Sequence, residues 1–546
     1  MKKILFVVAL LLTICTLQAS RPTKIFLIGD STCATKDLKR QNPERGWGHM
    51  IAPLFDEGVE VENHARNGRS TKSFRDLGHW AVVAETMSQG DYLFIQFGHN
   101  DAKADDPVRY ASPEDYASNI KGYINEAKAK GVTPILLTPV VRRYFKEEGL
   151  TGRHGDYTAA MKAVAKSENV TLIDMEQVTW EWLNAIGDEP SRKYFMWIDE
   201  GTNPLHPDGR VDNTHYVAAG ARIVARFVTE QIAKNIPELA PHVRDWDLVV
   251  AQDGSGDFFS IQEAINAVPD YSNEPFTIYI ADGIYKEKVV IPATKNNLYI
   301  NGQSAERTII SFDNYADRLS IAGHKLGTSG SSTLYIDADN FRAEDITFEN
   351  CAGEVGQAVA VRTSGDNMTF INCRFIGDQD TLYLAGEGNR DGLEATNLFR
   401  HYFEGCYIEG TTDFIFGAAT ALFKECTIHS KKNSYITAAS TCKGLDYGFV
   451  FIDCKLTAAD NVTQCYLGRP WREYAKTVFI NCELGAHIRS EGWHNWSKPH
   501  AEKSTLYAEY GSYGQGANDA ERIKWAKKLS KKSIEQKYTP EAILNR

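Results

Sequence analysis

The second half of the chain carries two aspartates in strongly apolar surroundings. Asp413 lies in GTTDFIFG, and Asp380 lies in GDQDTLY. An ionised carboxylate beside so much apolar surface costs free energy unless a cation pairs with it, and YLGRPW supplies Arg469 as a candidate. Two carboxylates held close together cannot both ionise easily, so one becomes a proton donor and the other a nucleophile or a base. We therefore expect an acid–base pair in which Arg469 keeps Asp413 charged.

A cysteine-containing unit is repeated along the second half, and the positions of these residues can be compared relative to it. The unit recurs in strand-like segments at intervals of 20 to 33 residues, at Cys351, Cys373, Cys406, Cys426, Cys454 and Cys482. Asp380 and Asp413 each follow a repeat cysteine by seven residues, and Gln357 and Gln379 each follow one by six. If equivalent positions stack on parallel strands about 4.8 Å apart, the two acids and the two amides lie together on three neighbouring coils.

The segment from Asp247 onward has the pattern of a coiled β-structure. Short strands rich in Val, Ile, Phe and Tyr replace helical periodicity, and irregular repeats of one strand unit are typical of a parallel β-helix. A β-sandwich is the alternative, and a helical tail is expected after Asn518. Stacked strands lie farther apart than the ~3.8 Å between the Cβ atoms of a disulfide, so we expect free, buried thiols, with disulfides as the alternative. The cysteines and histidines show no C-x-x-C or paired-histidine spacing, so no metal site is expected.

The first half carries residues of the types used in serine hydrolysis. KIFLIGDSTC places Ser31 on a tight turn directly after a strand, where its hydroxyl is exposed for attack. DNTHYVAAGA supplies Asp212 and His215, three residues apart, so that a carboxylate can orient an imidazole. Gly68 in NGRSTKSF and Asn100 in QFGHND offer N–H groups to a developing oxyanion.

The elements around these residues indicate two different domains. From Lys24 to about Leu239, short apolar strands alternate with amphipathic helices, which predicts a buried parallel sheet with crossover helices. PELAPHVRDWD contains two prolines and predicts a linker. The chain is therefore expected to consist of a signal segment at 1–20, an α/β domain at 21–236, a linker at 237–246 and a β-helix domain with its tail at 247–546.

Composition and the N-terminus bear on partners and location. The 546 residues carry a net charge of −11 without a long basic stretch outside the tail, so nucleic acid is not an expected partner. Residues 1–20 show a basic start, an apolar run too short to span a bilayer and a small-residue end, which predicts an export signal. No later segment is long and apolar enough to cross a membrane. We expect a periplasmic or secreted protein, and Cys15 leaves lipidation open as an alternative.

Motifs of the second half resemble those of the pectin methylesterases. They are GQAVAV, GDQDTLY, GTTDFIFG, YLGRPW, DGSGDFFSIQEAINAVP and GIYKEKV, and the resemblance covers nearly all of residues 247–528. It implies a right-handed parallel β-helix, no cofactor, no metal and a pectic polysaccharide as substrate. By motif, Asp413 matches the nucleophile, and Asp380 matches the general acid that then acts as a base. Gln379, helped by Gln357, matches the oxyanion donor, and Arg469 matches the residue that orients the nucleophile.

The same resemblance assigns four aromatic side chains to a sugar-binding groove, namely Tyr383, Phe416, Trp471 and Trp493. Ordinary core packing is the alternative for each of them. For the whole domain the alternative is glycoside cleavage, since carboxylates ~5 Å apart also suit a retaining glycosidase and β-helices also carry pectin lyases and polygalacturonases. A lyase would need clustered acidic residues for calcium, and acids flanked by amides fit acyl transfer better.

The first half resembles the SGNH (GDSL-type) hydrolases, and GRSTKSF, FGHND and TPVVRR resemble more narrowly the rhamnogalacturonan acetylesterases. The resemblance implies an α/β fold with a flavodoxin-like parallel sheet. It makes Ser31 the nucleophile, His215 the base and Asp212 the partner of the base. The N–H groups of Ser31 and Gly68 and the amide of Asn100 then form the oxyanion hole.

Taken together, the two resemblances predict an exported, two-domain pectin esterase. The second half is expected to remove methyl esters and the first half, over residues 24–236, to remove acetyl esters from the same polymer. One alternative is a single working esterase fused to a carbohydrate-binding β-helix, and another is a structural or adhesive β-helix. Release of methanol from methylated pectin discriminates among them.

Overall fold

The computed structural model describes residues 21–386, 397–518 and 520–545. The predicted export signal at 1–20, including Cys15, lies outside the described residues. The chain divides into two compact units, an N-terminal unit at Met1–Arg244 and a C-terminal unit at Asp245–Arg546. None of the helices in the described ranges is both long and apolar enough to cross a membrane.

A parallel sheet forms the centre of the N-terminal unit. Its strands are β1 Thr23–Gly29, β2 Val59–Asn63, β3 Tyr92–Gln96, β4 Thr133–Leu137 and β5 Thr171–Ile173, in the order β2-β1-β3-β4-β5. Strands β3 and β4 are buried along almost their whole length, as expected when helices cover both faces. This is the flavodoxin-like order, in which sites form beyond the carboxyl ends of the strands. The predicted α/β fold is confirmed.

Helices and two small antiparallel sheets surround this sheet. The helices are Thr71–Asp76, His79–Thr86, Pro113–Ala129, Asp156–Glu168, Met175–Ile186, Asp188–Ser191 and Ala218–Asn235, and the 3₁₀ turns are Lys39–Gln41, Trp47–His49, Ala52–Leu54, Arg192–Tyr194 and Ala240–His242. In one small sheet, Arg210–Val217 lies between Glu44–Arg45 and Phe195–Ile198; the other is the hairpin of Phe145–Lys146 and Gly149–Leu150.

The predicted linker belongs largely to the N-terminal unit. His242 Nδ1 lies 2.7 Å from Asp56 Oδ1, and the Arg244 guanidinium pairs with the same carboxylate. Val243 forms an antiparallel bridge with Phe55. The two prolines therefore mark a segment that is held against its domain by charge pairing, and the division between the units falls after Arg244.

Three parallel sheets of stacked coils form the C-terminal unit, which confirms the predicted β-helix. The first sheet contains Leu248–Val250, Phe276–Ile280, Leu298–Gly302, Arg342–Glu344, Met368–Ile371, Arg400–Glu404, Thr420–Lys424, Phe449–Ile452, Lys476–Ile480, Leu506–Tyr510 and Lys527–Lys528. The second contains Gly283–Tyr285, Thr308–Phe312, Thr347–Asn350, Arg374–Ile376, Tyr407–Gly410, Thr427–Ser430, Lys455–Ala458 and Glu483–Leu484. The third contains Val289–Ile291, Leu334–Ile336, Val361–Thr363, Leu382–Leu384, Ile415–Gly417, Tyr435–Ala439 and Tyr466–Gly468.

Few helices accompany the coils. They are Ile261–Ala267, Gly327–Gly330, the 3₁₀ turn Ala501–Lys503, and the tail helices Lys531–Lys537 and Pro540–Leu544. Tyr538, Ile543 and Leu544 of the tail pack against Leu422 and Val450 on the outside of the first sheet. This contact places the tail helices on the β-helix, but they begin at Lys531, after the further strand Lys527–Lys528, and not directly after Asn518.

Five of the six repeat cysteines form a buried stack between the first and second sheets, and they are Cys373, Cys406, Cys426, Cys454 and Cys482. Each follows a residue with positive φ that turns the chain from one sheet into the next. Cys351 is exposed, so its prediction as a stacked, buried thiol is wrong. Thr347 pairs with Arg374, which places Ile346 beside Cys373. The described cysteines are free thiols.

Candidate active sites

The two aspartates of the C-terminal unit lie side by side on neighbouring coils. Leu382 pairs with Ile415 in the third sheet, and two residues earlier the same register places Asp380 beside Asp413. Both acids adopt left-handed backbone conformations, with φ of 69° and 49°. Such a conformation is uncommon for residues other than glycine and marks a sharp turn at the entry to the strand. The predicted juxtaposition is confirmed.

A guanidinium holds one of these acids in a two-point contact. Arg469 Nε lies 2.9 Å from Asp413 Oδ1, and Arg469 Nη2 lies 2.6 Å from Asp413 Oδ2. The guanidinium carbon lies 3.8 Å from the ring centre of Tyr435 and 3.7 Å from that of Trp496. Two aromatic faces therefore fix the plane of the fork that orients Asp413.

The environment gives the two acids different protonation behaviour. Burial first, and then the charge of Asp413, raise the pKa of Asp380 from its ordinary 3.8 to about 8, against the opposing effects of Arg469 and a hydrogen bond with Gln379. Burial also raises the pKa of Asp413, and the Arg469 contact opposes that rise. Burial and the neighbouring charge therefore favour the protonated form of Asp380, and the contact with Arg469 favours the charged form of Asp413.

Two amides lie beside the acids. Gln357 and Gln379 form a parallel bridge on adjacent coils, as the repeat count predicted. The count reached this pairing although Cys351 is out of register, because the segment between Ile346 and Gln357 is longer than its counterpart on the next coil. Both amides border the same cavity as Asp380.

A cavity of about 780 Å³ opens over the acid pair, and its walls include Tyr383, Phe416, Trp471 and Trp496. The rings of Tyr383 and Phe416 stack with centroids 4.3 Å apart, and Trp471 lies 5.7 Å from Phe416. The cavity joins a charged, hydrogen-bonding floor to an aromatic wall.

Trp493 does not line this cavity, so its assignment to the groove is wrong. Its side chain is 1% exposed and packs against Tyr507, with ring centroids 4.4 Å apart. Trp493 forms a parallel β-bridge with Gly468, and Gly468 pairs with the buried Thr437 on the next coil. Residues at this register position therefore point into the core. Trp496 follows in a turn with positive φ and takes the place over Arg469. The only sequence signal for it was a second tryptophan in GWHNWSK.

The N-terminal unit brings a serine, a histidine and an aspartate into one hydrogen-bonded chain. Ser31 Oγ lies 2.8 Å from His215 Nε2, and His215 Nδ1 lies 2.8 Å from Asp212 Oδ2. Burial favours the neutral form of Asp212, but hydrogen bonds from His215, Thr214 and Arg210 outweigh it and lower the pKa of this carboxyl well below its usual range. The arrangement can remove a proton from the serine hydroxyl and stabilise the resulting imidazolium.

Close backbone packing places Ser31 at the carboxyl end of β1. A Cβ atom on Gly29 would lie 2.4 Å from Cys33 Sγ and 2.6 Å from the carbonyl oxygen of Gln96. Only glycine therefore fits where the strand ends, and Cys33 is buried there as packing. The turn that follows carries the serine.

Lys36 ties the serine turn to the loop that carries the predicted oxyanion glycine. Its Nζ donates to the carbonyl oxygen of Ser31 and to Asn67 Oδ1, both at 2.6 Å. Gly68 follows Asn67 with a φ of 69°. This ammonium therefore brings the two backbone segments that bear the candidate N–H donors together.

The third candidate donor lies on the other side of that loop. Asn100 is buried, and its Nδ2 donates to the carbonyl oxygen of Arg69 at 3.0 Å. A primary amide has two hydrogens, so this bond orients Asn100 and leaves one hydrogen for another acceptor. Within the described ranges, no group of three or more His, Cys, Asp or Glu residues is arranged to hold a metal ion.

Two family models match this chain, one in each unit. The family described as Pectinesterase matches residues 247–546, and the GDSL-like Lipase/Acylhydrolase family matches residues 27–223. Pectinesterase 31 of Arabidopsis thaliana is 39% identical over 288 residues, covering 51% of this chain and 86% of that protein. Pectinesterase QRT1 of Arabidopsis thaliana is 37% identical over 353 residues, covering 63% of this chain and 86% of that protein. The structure of pectin methylesterase from carrot is similar with a TM-score of 0.50 and 32% identity, covering 55% of this chain and 93% of that chain.

Proposed function

This chain belongs to the pectinesterase family and also carries a GDSL-like acylhydrolase segment, and from that premise we propose that it is an exported esterase with two active sites for pectin. The C-terminal unit hydrolyses methyl esters of galacturonate, and the N-terminal unit hydrolyses acetyl esters of the same polymer. The observation that carries the proposal is the buried Asp380 beside Asp413 on the neighbouring coil, where Arg469 clamps Asp413 at two points.

Methyl-ester hydrolysis follows from the roles of the two acids. Asp413 attacks the ester carbonyl carbon, and the Gln379 amide donates to the oxygen on which negative charge develops, a contact typically worth about 3 kcal/mol. Asp380 gives its proton to the departing methoxide, which leaves as methanol. Asp380 then takes a proton from water, whose oxygen attacks the acyl-enzyme and releases Asp413.

Acetyl-ester hydrolysis follows from the serine site. His215 accepts the Ser31 proton as Oγ attacks the acetyl carbonyl, and Asp212 stabilises the imidazolium. The N–H groups of Ser31 and Gly68 and the second amide hydrogen of Asn100 stabilise the oxyanion. His215 then protonates the sugar oxygen that leaves, and water releases acetate by the reverse sequence.

Recognition of the polymer is local. The net charge of −11 gives an anionic polymer no bulk attraction to the protein. The reacting galacturonate is neutral while it is esterified, so the rings of Tyr383, Phe416, Trp471 and Trp496 can pack against its apolar face without a counter-charge. The ionised product lacks that match to an aromatic wall.

The decisive experiment measures methanol and acetate separately. Wild type, Ser31→Ala and Asp413→Ala are incubated with methylated, acetylated pectin. Loss of acetate alone in the first variant and of methanol alone in the second is expected. Asp453→Ala is the matched control, because Asp453 is an exposed aspartate at a left-handed turn of the same β-helix. New reducing ends without methanol would instead indicate glycoside cleavage and overturn the assignment.

A further inference from the structure

Two consecutive arginines at the end of TPVVRR have no part in the chemistry above, yet they reach both halves of the serine site. The segment follows β4, and its side chains diverge. Arg142 Nη2 donates to the carbonyl oxygen of His99 at 3.1 Å, next to Asn100. Arg143 instead contacts Asn213, which follows Asp212.

Arg143 is a buried connector. Its side chain is 2% exposed. Its backbone N–H donates to the carbonyl oxygen of Asn213 at 2.7 Å, and its Nη1 donates to Asn213 Oδ1 at 2.9 Å. The remainder of the fork is anchored by Ser191 Oγ at 2.7 Å and by Asp188. Trp197 Nε1 donates to the same Asn213 Oδ1 at 2.9 Å.

The residue that Arg143 holds lies in an irregular part of its strand. Asp212 pairs with Met196, but the next paired residue is Tyr216, opposite Phe195, so 213–215 have no partners in this ladder. A bulge of this kind redirects side chains, and its backbone needs support from outside the ladder. Arg143 supplies that support between the two residues whose side chains must meet the serine.

Arg142 performs the matching task on the oxyanion side. Its own backbone is fixed, because its N–H donates to the carbonyl oxygen of Gly152 at 3.1 Å. A Cβ on Gly152 would lie 1.8 Å from the Arg142 carbonyl oxygen, so only glycine allows this approach. Arg142 therefore holds the His99 carbonyl oxygen from a fixed backbone position. This contact also restrains Asn100, the next residue, whose side-chain amide is the candidate oxyanion donor.

We propose that Arg142 and Arg143 are positioning residues that set the separation between the oxyanion amide and the acid–base pair of the serine site. The inference rests on the proposed esterase function of the N-terminal unit. Lysine cannot replace Arg143, because an ammonium lacks the planar fork that spans the acceptors at Asn213, Ser191 and Asp188. Arg142 has a single side-chain acceptor, the His99 carbonyl, so alanine is the substitution that removes its contact. Neither arginine touches substrate in this role.

The test uses the full chain and the hydrolysis of 4-nitrophenyl acetate. Arg143→Lys and Arg142→Ala are each expected to lower kcat by roughly 10- to 100-fold with KM within twofold, since a misplacement of about 1 Å can cost that much. Asn213→Ala should lower kcat by a similar factor. The double variant Arg143→Lys with Asn213→Ala should have a kcat no lower than that of the less active single variant, because the two residues act through one contact. Guanidinium should partly restore Arg143→Ala.

Arg192→Lys is the matched control. Arg143 and Arg192 both lie over the Trp197 ring, at 5.0 Å and 4.4 Å from its centroid. Arg192, however, pairs with Glu189 and not with Asn213. Its kcat should stay within twofold of wild type, and an unchanged near-ultraviolet circular dichroism spectrum shows for every variant that the tertiary packing is intact.

Two results separate this proposal from the one on which it rests. Undiminished hydrolysis in Ser31→Ala would overturn the esterase assignment of the unit. If Ser31→Ala is inactive but Arg143→Lys and Arg142→Ala both keep kcat within twofold, the positioning proposal is wrong. A raised KM at unchanged kcat, or a loss in Arg143→Ala that guanidinium does not relieve, would also overturn it.

Discussion

Replacement of Asp380 by asparagine should make the protein more stable while it abolishes demethylation. Asparagine keeps the size and hydrogen-bonding capacity of the protonated acid but cannot ionise. In the wild type, ionisation of this buried side chain beside the charged Asp413 is unfavourable, which is why its pKa is raised to about 8. The unfolded chain has no such obstacle and releases the proton near pH 3.8.

The size of the effect follows from proton linkage. Between pH 3.8 and about 8 the folded protein holds a proton at Asp380 that the unfolded chain has lost. The free energy of unfolding of the wild type therefore falls as pH rises through this window, by up to about 1.4 kcal/mol per pH unit. A pH of 7 lies roughly three pH units above the lower end of this window. The free energy of unfolding of Asp380→Asn is therefore expected to exceed that of the wild type by at most about 4 kcal/mol at pH 7.

Urea unfolding of wild type and Asp380→Asn from pH 4 to pH 8 measures this difference. The curves should nearly coincide at pH 4 and separate steadily above it. Asp453→Asn, at an exposed turn, serves as the control for the substitution itself. A difference that is the same at pH 4.5 and pH 7.5 would refute the argument from burial and charge repulsion. In the same pH series, methanol release by the wild type should decline above about pH 8, as the general acid loses its proton.

Further predictions concern the same unit. Arg469→Ala removes the contact that opposes the raised pKa of Asp413, so the acidic limb of methanol release against pH should move to higher pH; an unmoved limb would contradict this role. Gln379→Ala should lower kcat by roughly 10²- to 10³-fold, measured as methanol release, whereas a change in KM alone would assign the amide to binding. Trp493→Ala should destabilise the unit by about 3–5 kcal/mol in urea unfolding, because it leaves a cavity in the core. Trp471→Ala, at the cavity wall, should instead raise KM for pectin with little loss of stability; equal losses of stability in both variants would show that the two rings share one environment.

Much of the C-terminal site was accessible from the printed chain. The recurrence of one strand unit indicated stacked coils, and counting from Cys373 and Cys406 placed Asp380 beside Asp413. The cation expected from the apolar surroundings of Asp413 was found in Arg469. These inferences succeeded because the segment from the repeat cysteine to the acid has the same length on both coils, which keeps the two acids in register although the whole coils differ in length.

Other features depended on details that counting does not capture. Cys351 resembles the other repeat cysteines locally, yet it lies outside the stack because its turn occurs earlier, at Asp345. Trp493 and Trp496 stand three residues apart in one aromatic motif, and only the register with Gly468 sends the first into the core. In each case a change of one turn reverses which side of the chain is buried.

The amino-acid sequence alone was enough to identify the chemical groups, their order and the two kinds of fold, because nucleophiles, acids and strand patterns are properties of short segments. Protonation and orientation arose only on folding. The proton on Asp380, the plane of the Arg469 fork and the divergent contacts of Arg142 and Arg143 depend on residues from distant segments. Electrostatic energies and hydrogen-bond geometry depend on distances in space, and distances in space are set by the packed chain.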